Sequence, residues 1–179
     1  NFHAFGDGGM VTTNRQEVYE KIIVARNHGL KNREECDFWS YNCRLDEIQA
    51  AMLSVQLPLL DKWTEERREL AFRYNELLRP YADVPDEGEG EYCVFQTYVV
   101  KAARRDELKA YLNENGVEAL IHYTIPLHLQ PAAKNLGYQE NDFPVTMAMS
   151  KQIISLPLYP ELSKQQQGNG ANVCNKFYK

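Results

Sequence analysis

The strongest pattern in the chain is a run of apolar residues at helical spacing. Over residues 45–78 these residues keep mostly to steps of three and four, which predicts one long amphipathic helix. Asp46 and Gln49 resemble a capping box at its start. Pro58 removes a backbone hydrogen bond, so we expect a kink near Ser54. A long, kinked helix is a common way for a chain to leave one domain and enter another.

The segment before this helix has clear turn and helix signals. Glycines crowd residues 5–9, which predicts a turn that uses positive φ or a close backbone approach. Residues 10–13 then predict a strand. Apolar positions predict a helix over 16–27, with Asn14 as its N-cap and Gly29 as its end.

Strand and helix patterns alternate after residue 90. Residues 94–102 predict a strand, 105–115 a helix that Gly116 ends, and 117–121 a second strand. Shorter signals predict helices over 131–136 and 145–153 and an extended piece over 155–158. This β-α-β order with trailing helices is typical of a compact α+β domain.

The C-terminal tail gives a mixed signal. Residues 163–167 begin like a helix, but Gly168-Asn169-Gly170 is expected to break it. The last residues, 173–178, would then form only a short final turn.

Composition narrows the class of protein. Apolar residues make up 44% of the 179 and charged residues 25%, which is the balance of a folded domain. Twenty Lys and Arg against 25 Asp and Glu give a net charge of -5, so non-specific nucleic-acid binding is disfavoured. No stretch approaches the roughly 18 apolar residues of a membrane span, and residues 1–6 do not resemble a signal peptide.

The four cysteines show no spacing that is typical of a metal site. Cys36, Cys43, Cys93 and Cys174 form no C-x-x-C pair, and no histidine lies at a zinc-ligand spacing from them. We therefore expect reduced thiols, no metal site and a cytoplasmic location.

Two segments contain residues suited to ligand binding. In the first, Asn42 can donate amide hydrogens to an anion and Arg44 can bind a phosphate in a fork; the alternative is a helix cap and a surface charge. In the second, His122, Tyr123 and His128 follow the end of a predicted strand, where binding residues often collect. A buried histidine pair or a metal site are the alternatives there. The spacing by itself indicates an α+β protein with a phosphate-bearing ligand.

Several segments together resemble the DegT/DnrJ/EryC1/StrS family of sugar aminotransferases. They follow the family in order and approximate spacing as far as about residue 163, and they are residues 1–14, 26–29, 41–51, 120–123, 125–130 and 156–160. The pieces Leu-Ile-His-Tyr and Pro-Leu-His-Leu-Gln are most similar to the branch that aminates C3 of dTDP-linked keto-6-deoxyhexoses.

The resemblance implies a fold and a position within it. The family has the α/β fold of type I enzymes that use pyridoxal 5'-phosphate (PLP), as in aspartate aminotransferase. Residues 1–56 would be the C-terminal end of its large domain and 57–179 the small α+β domain. The Schiff-base Lys of the family directly precedes the residue that matches Asn1, so no catalytic residue is expected among the 179. The chain would be a C-terminal half, either as a true fragment or as the part that follows a modified Lys.

The resemblance also implies a reaction. PLP would be the cofactor, glutamate or another amino acid the donor, and a nucleotide-linked keto-sugar the acceptor, in amino-sugar, polysaccharide or antibiotic biosynthesis. In a homodimer, Asn42 would bind the PLP phosphate of the partner subunit. Arg44, His122, Tyr123 and His128 would bind the sugar nucleotide.

Two other functions remain open at this point. Some relatives place His at the Lys position and eliminate water from a sugar, and a protein without either residue would be a non-catalytic scaffold or regulator. The residue before Asn1 separates the three: Lys favours transfer, His favours dehydration, and any other residue favours the scaffold.

Overall fold

The computed structural model describes residues 3–179, which divide into two units, residues 3–61 and 62–179. The predicted division after residue 56 into large and small domains stays a prediction. Asn1, next to which the resemblance places the Schiff-base Lys, lies outside the described residues.

Within residues 3–61, the first unit contains two helices, α1 (Gln16–Ala25) and α2 (Glu47–Gln56). The predicted cap of α1 is wrong, because the N-cap is Arg15 and no side chain caps the helix. The predicted strand over 10–13 is also wrong: within residues 3–179 no strand pairs with it. A strand needs a neighbour to satisfy its backbone groups.

The prediction that Gly29 caps the end of α1 is wrong, because the helix ends at Ala25 and its C-cap is Arg26. Gly29 lies in the turn that follows. Its φ is +76°, in the left-handed region, and its N–H donates to the carbonyl of Val24 at 3.1 Å. A Cβ at this position would lie 1.7 Å from the carbonyl oxygen of Phe38. Only glycine satisfies both demands.

The long helix predicted over 45–78 is interrupted. After α2, residues Leu57–Leu59 form a 3₁₀ turn, and α3 (Leu60–Leu78) follows. The irregularity therefore lies at Pro58 itself and not near Ser54. The predicted capping box is wrong, since Asp46 makes no side-chain cap bond. Gln49 instead accepts a hydrogen bond from the N–H of Phe5 at 2.6 Å.

The second unit continues from α3 and contains five further elements. They are β1 (Tyr98–Lys101), α4 (Arg105–Glu114), α5 (Pro144–Ser150), β2 (Ile153–Leu156) and α6 (Lys164–Phe177). Short 3₁₀ turns cover Leu127–Leu129, Pro131–Leu136 and Glu140–Asp142. Gly116, with φ of +78°, follows α4 as predicted.

The two strands form one antiparallel ladder. Tyr98 pairs with Leu156 and Lys101 with Ile153, so the predicted strand over 94–102 is four residues long. The predicted strand over 117–121 is reduced to a single bridge between Leu120 and Ser155. The strand patterns were therefore longer than the ladder, because a strand extends only as far as its partner.

The core of the second unit lies between α3, the ladder, α4 and α6. The rings of Tyr74 and Tyr98 stack at 4.9 Å, and the Tyr98 hydroxyl donates to Oδ1 of Asn75 at 2.7 Å. Burial raises the pKa of Tyr74 to about 12 and the pKa of the Cys174 thiol to about 11. The Tyr74 hydroxyl and the Cys174 thiol therefore stay protonated well above physiological pH.

An ion pair between Arg68 and Glu87 links α3 to the segment that precedes β1. Arg68 donates to Glu87 at 2.5 and 3.0 Å and lies 3.9 Å from the ring centroid of Tyr92. The N–H of Cys93 also donates to Glu87 at 2.5 Å. These bonds, that from Arg68 first, lower the pKa of the Glu87 carboxyl.

The predicted break in the C-terminal helix at residues 168–170 is wrong. α6 runs without a break through Gly168-Asn169-Gly170. It begins with a full capping box, in which Ser163 and Gln166 exchange bonds. The buried side chain of Gln167 donates to the carbonyl of Leu70 at 2.5 Å. Capping and tertiary contacts together outweigh the low helix propensity of two glycines.

Candidate functional site

The predicted binding residues fall into separate parts of the chain. Asn42 and Arg44 belong to the first unit, and His122, Tyr123 and His128 belong to the second. Asn42 and Arg44 line one cavity, and His122 and Tyr123 line another.

Backbone bonds fix the segment around Asn42 against the end of α1. Asn27 and Asn42 form an antiparallel bridge, and the N–H of Cys43 donates to the carbonyl of Arg26 at 2.8 Å. The Ser40 hydroxyl donates to the carbonyl of Ala25 at 2.6 Å. The Asn42 segment therefore has a defined path although it is an irregular loop.

The cavity next to this segment has donors for an anion. Its volume is about 730 Å³, and Arg26, Asn42 and Arg44 are among its lining residues. Two guanidinium groups and an amide form a donor set that suits a phosphate. Asp7 also lines the cavity, so the charge around it is mixed.

The glycine-rich segment 5–9 contributes to the same wall by close approach. Gly8 and Gly9 line the cavity. A Cβ on Gly8 would lie 3.0 Å from Cβ of Ala4 and 3.4 Å from Cδ1 of Leu45. Glycine thus lets this segment pack closely against Leu45, which was one of the two roles expected for it.

His122 is held by the strand β2. Its Nδ1 lies 2.8 Å from the hydroxyl of Ser155, and its ring meets that of Tyr123 edge to face at 5.4 Å. Both rings line a cavity of about 380 Å³, together with Gln130 and Thr146. His122 also lines a second cavity of about 260 Å³. The structure therefore brings His122 and Tyr123 together at one opening.

His128 is oriented differently from these two residues. It lies in the 3₁₀ turn Leu127–Leu129, and its ring centroid is 4.7 Å from that of Phe143. Its Nε2 is enclosed and has no hydrogen-bond partner among residues 3–179. Leu127 and Gln130 line the larger His122 cavity, whereas His128 does not. Its assignment to the substrate stays a prediction.

The described residues do not form a metal site or a membrane span. From residue 3 onward, no three His, Cys, Asp or Glu side chains lie together as metal ligands would. No helix in the described part of the chain is long and apolar enough to cross a membrane. All four cysteines are free thiols, and Cys174 alone among them is buried.

Two residues at these cavities were not predicted from the sequence. Arg26 lies in a segment that stands out only by its resemblance to the family, and its place beside Asn42 depends on the bridge between residues 27 and 42. Ser155 is separated from His122 by 33 residues. Its only sequence signal is a polar residue inside an apolar strand.

Comparisons with known proteins point to the family that the sequence resembles. The profile of the DegT/DnrJ/EryC1/StrS aminotransferase family matches residues 1–177. The chain is 44% identical to a "Pleiotropic regulatory protein" of Geobacillus stearothermophilus, over all of the chain and 49% of that protein. It is 35% identical to the dTDP-3-amino-3,6-dideoxy-alpha-D-galactopyranose transaminase of Aneurinibacillus thermoaerophilus, over 95% of the chain and 47% of that enzyme.

A solved structure shows the same fold. The chain superposes on S. venezuelae DesV, crystallised in complex with a ketimine intermediate, with a TM-score of 0.89 and 32% identity. The match covers 98% of this chain and 48% of that one. The chain thus spans about half the length of the proteins that it matches.

Proposed function

The chain belongs to the DegT/DnrJ/EryC1/StrS aminotransferase family, and from that premise we propose that the whole protein transfers an amino group to a keto-sugar linked to a nucleotide. The predicted fold class, that of a fold-type I enzyme, is confirmed. We propose that the chain is the C-terminal part of such an enzyme. The acceptor proposed is a dTDP-linked keto-6-deoxyhexose, and the donor is an amino acid such as glutamate.

The observation that carries the proposal is the cavity of the first unit, which Arg26, Asn42 and Arg44 line. Enzymes of this family depend on PLP. When it is bound, PLP supplies an electron sink at the carbon that carries the amino group. Arg26, Asn42 and Arg44 fit the phosphate end of such a cofactor or of a sugar nucleotide, because they offer charged and neutral N–H donors around one cavity. We assign Asn42 to the PLP phosphate and Arg44 to the substrate.

The Schiff-base residue is proposed to lie outside this cavity wall. Among residues 3–179, no lysine lines the cavity at Asn42. We propose that the Lys stands directly before Asn1, as the resemblance implies. Its amine would move the proton between the cofactor carbon and the sugar carbon as general base and acid.

His122, Tyr123 and His128 are proposed to bind the nucleotide sugar. Imidazole and phenol groups donate hydrogen bonds to hydroxyl and diphosphate oxygens without a metal. The cavity of about 380 Å³ beside His122 and Tyr123 is consistent with this role, since binding sites are concave and have a few placed polar groups.

We also propose that the protein is a cytoplasmic homodimer in which each subunit completes the site of the other. The loop that precedes Asn42 supports an interface, because Trp39 is 96% exposed and Tyr41 is 79% exposed. Large exposed aromatic side chains on one loop are typical of a protein-binding surface.

The experiment uses the full-length protein, glutamate and a dTDP-linked 3-keto-6-deoxyhexose, with the UDP-linked sugar as the comparison. Formation of the amino sugar, measured by mass spectrometry, supports transfer. Loss of water without gain of nitrogen would instead indicate the dehydratase, and neither product would indicate the scaffold.

Complementation tests the shared site separately. Asn42→Ala subunits are mixed with subunits that lack the proposed Lys, and each variant is also assayed alone. If sites are shared, mixed dimers contain one intact site and, at PLP concentrations too low to saturate Asn42→Ala, show more activity than either parent. No recovery in dimers shown to have exchanged subunits would contradict a shared site.

A further inference from the structure

Ser155 occupies a fixed position in the middle of the second unit. It pairs with Val99 in the ladder of β1 and β2, and on its other side it exchanges two backbone bonds with Leu120, at 2.8 and 3.1 Å. The residue is 4% exposed. Its own N–H and C=O groups therefore both bond to Leu120, while the ladder holds the strand on the side of Val99.

The Ser155 hydroxyl has one side-chain partner within residues 3–179, the Nδ1 atom of His122 at 2.8 Å. A buried hydroxyl without a partner is costly, and a strand interior otherwise favours apolar residues. The same bond occupies one of the two ring nitrogens of His122. It leaves Nε2 as the nitrogen that can bind a ligand.

The orientation of the His122 ring decides which of two cavities its nitrogen atoms face. Its ring belongs to the wall of the 380 Å³ cavity with Tyr123 and to the wall of the 260 Å³ cavity with Ser155 and Leu120. It lies in an irregular turn that no strand continues. A rotation of this ring would move its nitrogens between the two cavities.

We propose that Ser155 is a positioning residue, which holds His122 at Nδ1 and so directs Nε2 to the nucleotide sugar; this rests on the function proposed above for His122. A serine hydroxyl suits the task because it can donate to a neutral imidazole and accept from a protonated one.

Nitrogen NMR tests the bond without any assay of activity. The full-length protein is labelled with ¹⁵N-histidine, and the signals of His122 are assigned from a His122→Gln variant. Because Ser155→Ala removes the partner of Nδ1, it is expected to shift the Nδ1 signal of His122 more than the Nε2 signal. Unchanged ¹⁵N shifts of His122 in Ser155→Ala would overturn the proposal.

Steady-state kinetics tests the consequence. Ser155→Ala is expected to raise the KM for the nucleotide sugar about two- to tenfold, the factor expected from one neutral hydrogen bond. The kcat and the half-reaction with the amino donor should change less than the KM. Ser155→Thr keeps a hydroxyl on a strand-favouring residue and should recover at least part of the loss.

Ser163→Ala is the matched control, because it removes a serine hydroxyl that caps α6 and lines neither cavity at His122. It should lower stability and leave the KM unchanged. If Ser163→Ala raises the KM equally, a general loss of stability explains the effect and the proposal is wrong.

The outcomes separate this proposal from the proposed function. If His122→Ala leaves the KM unchanged while Ser155→Ala still alters the ring signals, the substrate role of His122 fails and the Ser155–His122 bond stands. If His122→Ala raises the KM but Ser155→Ala changes neither the KM nor the signals, the positioning role fails and the function stands.

Discussion

Replacing the glycines of α6 by alanine should stabilise the second unit. The helix passes through Gly168 and Gly170 without a break. A Cβ on Gly168 would lie 3.6 Å from Nη2 of Arg73, and one on Gly170 would lie 3.7 Å from the Tyr74 hydroxyl and from Cγ1 of Val117. These are ordinary van der Waals distances, so both methyl groups fit.

The expected size follows from helix propensity and burial. Alanine is favoured over glycine in a helix interior by about 1 kcal/mol. Packing the new methyl of Gly170→Ala against Tyr74 and Val117 adds at most about 0.8 kcal/mol. We expect a gain of about 1 kcal/mol for each variant and about 2 kcal/mol for the pair.

Gly116→Ala is the matched control in the same unit. A Cβ at this position would meet nothing within 4 Å, but the φ of Gly116 is +78°. Alanine in the left-handed region costs about 1–2 kcal/mol, so this variant should destabilise. The same chemical change thus has opposite signs at positions 170 and 116.

Hydrogen exchange of the intact protein measures the effect. Peptides from residues 164–177 should exchange about fivefold more slowly for each kcal/mol gained, if exchange proceeds through local opening. The reasoning would be refuted if both α6 variants sped up exchange as Gly116→Ala does. Such a result would restore the helix break that the sequence pattern predicts.

Four further predictions concern the cofactor, the substrate and acid stability. The 179-residue chain alone should form no Schiff base with PLP; a site-specific adduct after borohydride reduction, found by mass analysis, would contradict this. Asn42→Ala should weaken PLP binding to the full-length protein about ten- to a hundredfold, from a lost charged hydrogen bond of about 1.5–3 kcal/mol, and unchanged affinity in a folded variant would rule out the assignment. His128→Ala should raise the KM for the sugar nucleotide and spare the donor half-reaction in stopped-flow traces; equal slowing of both half-reactions would place His128 at the catalytic centre. Because Arg68 lowers the pKa of Glu87, the carboxylate stabilises the fold above the ordinary Glu pKa, and this is lost as the pH falls through the lowered folded value. Glu87→Gln should therefore lower the urea unfolding midpoint near neutral pH. The midpoint of this variant should also fall less than that of wild type as the pH is lowered, and an equal dependence on acid pH would contradict this.

The sequence predicted helices better than strands, for a physical reason. A helix satisfies its backbone within one segment, so a local signal such as Gly116 marks its end correctly. A strand depends on a partner elsewhere in the chain. The pattern over 94–102 therefore could not reveal that β1 pairs over only Tyr98–Lys101.

The site was predicted from the sequence as residue types but not as an arrangement. Resemblance identified Asn42 and His122, and their places at cavities agree with a binding role. It gave no means of separating His128 from His122, although one ring faces Phe143 and the other contacts Ser155. That difference depends on how the turn after residue 122 packs, which spacing does not encode.

Ser155 shows how such a residue could be found from a sequence. It interrupts the apolar run of Ile153, Ile154 and Leu156, and a polar side chain inside a buried strand needs a hydrogen-bond partner. The nearest side chains on the same face of the strand, at residues 153 and 157, are apolar and cannot bond to the hydroxyl. The partner must come from an adjacent segment, and the Leu120 bridge brings His122 close enough to supply it. A buried serine in an otherwise apolar strand therefore indicates which polar residue of the neighbouring segment is held in place.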